Sequence, residues 1–212
     1  MVRSIKRITY GRSTLPENCI LPGGKEEKKI PILFSVFLIE TDERCVLVDA
    51  GCDTMPGFEM VDFIGPVAAL EREGYRAEDI TDVILTHAHH DHIDGIRHFG
   101  HARIYLHRSE LAYAQRHGFF TDGTASLELF EGTVEPERDL RIVHTGGHTS
   151  GSSVVEVRWQ DRDYVICGDE CYSMENIRKQ IPTPSTSSAE NSQKFIERYA
   201  TGSFICLLAH DE

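Results

Sequence analysis

Between Thr86 and Gly95 the chain reads Thr-His-Ala-His-His-Asp-His-Ile-Asp-Gly, directly after the apolar run Val83–Leu85. Four histidines and one aspartate within six residues concentrate metal-ligating side chains far beyond what a solvated turn requires. In an extended turn His87 and His89 point to the same side. Once the chain begins to coil, Asp91 and His92 turn toward a second point close by. That arrangement suits two adjacent metal ions. Imidazole and carboxylate without thiolate accept Zn(II), Fe(II) or Mn(II) alike. Two close cations bring the pKa of a bound water from about 15.7 toward roughly 7, which makes hydroxide available at neutral pH, and a cation also polarises a carbonyl oxygen. The chemistry such residues imply is metal-assisted hydrolysis.

Three later segments supply what a binuclear centre still lacks. Thr145-Gly146-Gly147-His148-Thr149-Ser150-Gly151 sets a histidine in a glycine-rich turn, Gly168-Asp169 follows Val-Ile-Cys, and Ala209-His210-Asp211 follows Phe-Ile-Cys-Leu-Leu. Each is a potential ligand at a strand end. The combination of H-x-H-x-D-H, a Gly-His-Thr turn, a strand-end aspartate and a strand-end histidine resembles the metallo-β-lactamase superfamily, as does Val46-Leu47-Val48-Asp49-Ala50-Gly51. The resemblance covers nearly the whole chain. It implies an α/β fold, a four-layer αββα sandwich of two mixed sheets with helices outside. It also implies that His87, His89 and His148 hold one metal and that Asp91, His92 and His210 hold the other. Asp169 would bridge them, and Asp49 would steer the ligand loop from behind. Two divalent ions are expected, zinc first, with iron or manganese open.

Within that superfamily, Asp169-Glu170-Cys171-Tyr172-Ser173-Met174-Glu175-Asn176 has an Asp-x-x-Tyr-x-x-Glu-Asn pattern similar to the N-acyl-homoserine lactone lactonases. The similarity extends to Leu70–Tyr75, Arg108-Ser109-Glu110-Leu111 and the ending His210-Asp211-Glu212. It implies a quorum-quenching type of reaction, in which metal-bound hydroxide opens a lactone ring. Asp91 and Asp169 would act in catalysis, Asp169 passing a proton to the leaving group, and Tyr172 would hydrogen-bond the lactone carbonyl or assist the leaving oxygen. The expected partner is a small-molecule lactone or ester. The HAHHDH reading of the ligand turn, a compact segment from Thr121 to Gly132 and an end two residues past His210 depart from the pattern, which leaves a different lactone or ester open. A glyoxalase II-like thioesterase is the nearest rival, although that family appends a helical substrate-binding region for which no residues remain. A metal-stabilised binding or sensing module is the non-enzymatic alternative, disfavoured because structural zinc sites are closed four-ligand cages.

The elements that must position these residues are short β-branched runs at 32–40, 45–49, 82–86, 103–107, 140–144, 152–159, 163–169 and 204–210. Helical patterns at 66–73, 108–116 and 187–199 cover them, the last opening on Ser187 with Glu190 at capping-box spacing. Residues 15–29, rich in Pro, Gly, Lys and Glu, form either a solvated connection or a mobile loop over the site. With no repeat or linker, 1–212 is expected to be one domain. His90 is expected to point away from the ligands, Asp94 to cap or pair locally, and His98, His101, His107, His117 and His144 to lie at the surface or at helix ends.

The charge balance of 22 Lys+Arg against 34 Asp+Glu, net −12, argues against a nucleic-acid partner. No apolar run approaches the ~20 residues of a membrane span. Six scattered cysteines without a C-x-x-C pair and an N-terminus without an apolar signal core point to a cytoplasmic protein with reduced thiols.

Overall fold

Alternation along the strands decides the layering of this computed structural model, which describes residues 1–120 and 126–211. β1 (Val2–Pro16) and β2 (Lys29–Thr41) form a long antiparallel hairpin, followed by β3 (Cys45–Val48), β4 (Asp82–Ile84), β5 (Arg103–His107) and β6 (Leu127–Phe130) in a six-stranded sheet. β2 and β3 are antiparallel, whereas β3 to β6 run parallel. A second, five-stranded sheet holds β7 (Thr133–Glu137), β8 (Leu140–His144), β9 (Ser153–Trp159), β10 (Arg162–Ile166) and β11 (Ile205–Leu207).

Phe37 and Ile39 of β2 face Ile142, Val155 and Ile166 of the second sheet in a closed inter-sheet core. Their neighbours Phe34, Val36 and Leu38 face the opposite way, onto Leu70 of α2 (Pro66–Arg72), Ile93 of α3 (His90–Ile93) and Ala114 of α4 (Leu111–Arg116). On the outer side of the second sheet, Val154 and Val165 meet Phe195 and Tyr199 of α6 (Ala189–Tyr199), with Ile177 of α5 (Met174–Lys179) packed alongside. Two mixed sheets flanked by helices are the expected architecture. Each fully buried Leu, Ile or Phe contributes roughly 1.5–3 kcal/mol, so this two-sided pattern fixes which face each strand presents.

Several elements differ from the sequence expectation. β1 was not among the expected strands, because register shifts between Val2 and Ser4 and between Thr9 and Gly11 interrupt its alternation. β6 and β7 are short and carry Glu and Pro. α6 is capped by Ser188, whose hydroxyl accepts from the Asn191 N–H, rather than by Ser187, whose hydroxyl donates to the Gly147 carbonyl at 3.1 Å. β11 ends at Leu207, and the chain then leaves the sheet so that the His210 carbonyl accepts from the Leu33 N–H. Residues 15–29 contain a single turn of helix, α1 (Glu17–Ile20), tied down by Asn176, whose amide donates to the Ile20 carbonyl at 2.8 Å. The compact segment 121–132 lies partly outside the described residues. Beside the first sheet's β1 edge, Arg12 and Val61 exchange backbone hydrogen bonds of 2.9 and 2.8 Å.

One consequence of the topology places the site. β9 is antiparallel to both β8 and β10, and β11 is parallel to β10, so β8, β10 and β11 all run the same way. The segments that follow them carry His148, Asp169 and His210 to one rim of the sandwich, where the segment after β4 meets them.

Candidate metal centre

The turn after β4 is built around Asp49, which follows β3 in a left-handed conformation with φ 63°. Its carboxylate accepts from the Thr86 N–H at 2.8 Å and from the Thr86 hydroxyl at 2.9 Å, fixing the residue before His87. The same carboxylate accepts the Nδ1 proton of His92 at 2.8 Å. α3 is drawn onto this loop by the Ala50 N–H on the His92 carbonyl and the Gly95 N–H on the Gly51 carbonyl. Gly95 is required there, since a Cβ would overlap the Ala50 carbonyl oxygen. The Tyr10 hydroxyl donates to the Asp91 carbonyl at 2.7 Å, holding the first turn of α3 from the other side.

The result is two adjacent sets of ligand atoms. His87, His89, His148 and Asp169 form one, and Asp91, His92 and His210 the other, with the atoms of each set within 4.8 Å of one another. Asp169 turns one oxygen to each: Oδ1 lies 3.0 Å from Nε2 of both His92 and His210, and Oδ2 lies 3.4 Å from His148 Nε2 and 3.8 Å from His87 Nε2. Every residue that the ligand pattern named is thus brought together. Asp94 and His90 are not in either set. Asp94 accepts from the Asp53 and Thr54 N–H groups, and His90 Nε2 turns to the Thr54 carbonyl at 2.9 Å.

The donor set fits divalent cations on three observations. His148 Nδ1 donates to the Ser185 carbonyl and His210 Nδ1 to the Leu33 carbonyl, each at 2.8 Å. A carbonyl oxygen only accepts, so Nδ1 carries a proton in both rings and Nε2 is the atom turned to the cluster, the orientation that metal-ligating histidines take. Second, His87 Nε2 is buried without a hydrogen-bond partner, an arrangement that costs about 1–3 kcal/mol unless something else occupies the space, and His92 Nε2 meets Asp169 Oδ1 at 3.0 Å without hydrogen-bond geometry. Third, the ligands are imidazole and carboxylate throughout, the types suited to such ions. Burial, reinforced by His92, pushes the His87 imidazole well below its usual range, so it is neutral and free to ligate. Burial opposes charge on His92 and Asp169 as well. It is outweighed by Asp169, Asp49 and Asp91 around His92, which is raised, and by His92 and His210 around Asp169, which is lowered.

The two sets open into a cavity of about 300 Å³ whose apolar side is Leu15, Ile32, Phe34, Pro56 and Phe58. Tyr113, Tyr172 and Ser185 complete it beside the ligands. The Tyr172 hydroxyl donates to Asp169 Oδ2 at 3.0 Å, and burial together with Asp169 pushes its pKa well up, so the phenol stays a neutral donor. Larger clefts of about 410 and 390 Å³ lie elsewhere on the surface and contain neither ligand set.

His107 lies at a helix end, as expected: it caps the helical turn Arg108–Glu110, its Nδ1 accepting from the Ser109 N–H at 3.3 Å, and its buried ring stacks on His144 with centroids 3.9 Å apart. The sequence reading missed Thr86, Tyr10, Glu110 and Glu170. Glu110 lies in the Arg-Ser-Glu-Leu segment already singled out, and Glu170 directly follows Asp169, but neither occupies a position that ligand spacing marks.

The pattern of the metallo-beta-lactamase superfamily matches residues 35–203, and the chain belongs to that superfamily. An N-acyl homoserine lactonase of Agrobacterium fabrum is 26% identical over 223 aligned positions, which cover 86% of this chain and 80% of the relative. A hydroxyacylglutathione hydrolase of Aeromonas hydrophila is 29% identical over 142 positions, covering 65% of this chain and 46% of the relative. Among solved structures, an N-acyl homoserine lactone hydrolase with N-hexanoyl-L-homoserine at its catalytic metal centre superposes with a TM-score of 0.82 at 21% identity, over 100% of this chain and 94% of that one. No helix among the described residues is long and apolar enough to cross a membrane.

Proposed function

We propose that this chain is a binuclear metal-dependent hydrolase that opens the ring of an uncharged lactone, an N-acyl-homoserine lactone or a related cyclic ester. The observation that carries this reading is the cavity itself. Its floor is two sets of ligand atoms, one side is apolar, a neutral tyrosine hydroxyl lies beside the ligands, and no Lys or Arg is among its described lining residues. A glutathione thioester presents two carboxylates and calls for cations at the mouth, so the thioesterase alternative is the poorer match. The similarity to the Agrobacterium lactonase over most of both chains supports the same choice.

In this reading His87, His89 and His148 hold one ion, Asp91, His92 and His210 hold the other, and Asp169 bridges them. Zinc is the assigned metal, with iron and manganese as the other outcomes of a metal analysis. Such ions supply hydroxide at neutral pH and polarise a carbonyl oxygen. The protein's part is to orient and to move a proton. The apolar side seats the hydrocarbon part of the substrate and excludes water. Tyr172 donates from its hydroxyl to the lactone carbonyl oxygen or to the ring oxygen as it leaves. Asp169 takes up a proton at a carboxylate oxygen and returns it to that ring oxygen, which departs as an alcohol. Asp91 is held in place for this through the Tyr10 hydroxyl on its carbonyl. We further propose that 1–212 act as one domain, that residues 15–29, held by Asn176, are a fixed connection that contributes Leu15 to the cavity wall, and that the protein works in the cytoplasm. Its six cysteines are all free thiols, as a reducing compartment requires.

The test is hydrolysis by metal-loaded protein of a homoserine lactone, an aliphatic lactone, a thioester and a β-lactam, with metal content measured alongside. Lactone turnover with about two ions per chain, abolished by His148→Ala and Asp169→Ala, is expected. Thioester turnover alone, or none with both ions bound, overturns the substrate assignment.

A further inference from the structure

Two glutamates that belong to neither ligand set are buried directly behind the proposed centre, Glu170 at 1% exposure and Glu110 at 4%. Burying a carboxylate is costly unless its oxygens are well used. Glu170 Oε1 accepts from the Gly147 N–H at 2.9 Å, the His148 N–H at 3.2 Å, the Thr145 hydroxyl at 2.6 Å and the Ser152 hydroxyl at 2.5 Å. Glu110 grips the same turn from its far end, where Oε1 accepts from the Thr149 hydroxyl and the Gly151 N–H, each at 2.8 Å. Its other oxygen accepts from the Ala88 N–H at 3.0 Å, the residue between His87 and His89.

The connections are selective. Glu110 ties the His87–His89 turn to the His148 turn, and Glu170 ties the His148 turn to its own neighbour Asp169. All four members of one ligand set are therefore joined through two carboxylates. Neither glutamate bonds Asp91, His92 or His210: Asp49, which also holds Thr86, takes the Nδ1 proton of His92, Tyr10 holds Asp91 and the Leu33 carbonyl holds His210. The fit around Glu170 is close enough that a Cβ on Gly147 would overlap Glu170 Oε2.

We infer that Glu110 and Glu170 are positioning residues for the His87, His89, His148 and Asp169 set, acting as hydrogen-bond acceptors that hold the His148 turn at ligand distance. This rests on the two-ion reading above. The two glutamates differ in a way that makes the inference specific. Glu110 uses both oxygens, so an amide in its place must lose one of its grips. Glu170 uses Oε1 alone, and its Oε2 has no partner, so an amide there retains every bond.

The test is titration of the full chain and its variants with Co(II) against a chromophoric chelator, following both stoichiometry and the visible spectrum of the bound ion. The unaltered chain takes up about two ions. Glu170→Ala and Glu110→Gln each keep one tight ion and bind the other some 10–100-fold more weakly, with a changed spectrum for that ion, whereas Glu170→Gln titrates like the unaltered chain. Should Glu170→Ala fail to fold, the contrast between the two glutamine variants decides. Equal weakening of both ions, no weakening in any variant, or Glu170→Gln and Glu110→Gln behaving alike overturns the inference. Fewer than two ions on the unaltered chain overturns the two-ion reading and this inference with it.

Discussion

The proton on each Nδ1 is the detail that turns a group of histidines into a set of ligands. His92, His148 and His210 each give it to an oxygen that accepts, and the oxygen differs each time: a carboxylate, the Ser185 carbonyl and the Leu33 carbonyl. Asp49→Asn isolates the carboxylate, because Asn tolerates the left-handed backbone that residue 49 adopts. A chelator competition assay should find the ion at His92 weakened by about 10–100-fold. Tyr172→Phe should leave both ions in place and lower kcat for a lactone by about 10²-fold, as removal of one donor to a developing oxyanion does; unchanged kinetics would take Tyr172 out of the mechanism. The histidines and aspartates of the ligand sets were legible because metal chemistry demands those types at those spacings. Thr86, Tyr10, Glu110 and Glu170 were not, since their roles arise from what packs against them and any polar residue in a loop looks the same in a sequence. His107 was legible as a helix end, whereas the burial of its ring is created by His144 on a strand of the other sheet.

At the scale of elements, the contact between α3 and the loop after β3 sets the distance between Asp49 and the ligand turn, and Gly95 permits that contact. Gly95→Ala forces the Ala50 carbonyl and α3 apart. It should cost about 1–3 kcal/mol in denaturant unfolding and weaken metal binding at Asp91 and His92. The strands that carry ligands were readable as compact apolar runs ending in Gly, Asp or His. β1 was not, because Arg, Lys and Ser alternate imperfectly with its apolar residues across two register shifts. The cap of α6 slipped by one residue because Ser187 and Ser188 are equally good candidates in sequence, and only the Gly147 carbonyl, from a turn about 40 residues away, decides between them.

For the molecule as a whole, the ligands come from both sheets, so bound ions pin one sheet to the other across the rim. Ligands that bind only the folded state stabilise it by about 4 kcal/mol at a thousandfold excess over Kd. For a chain of this size that corresponds to roughly 10 °C in Tm, and calorimetry before and after chelation should find that difference, reversed by returning the metal. A different global consequence follows from the β1 edge. A fifteen-residue outer strand offers free peptide groups to any neighbour's strand. Here the Val61 segment occupies the backbone at Arg12, the two register shifts twist the remainder, and Lys6 and Arg7 place positive charge along the open half. Two copies meeting edge to edge would set like charges against each other on a kinked template. The chain is thereby guarded against growing into stacked fibres when it is concentrated, by the same hairpin whose far end lines the cavity.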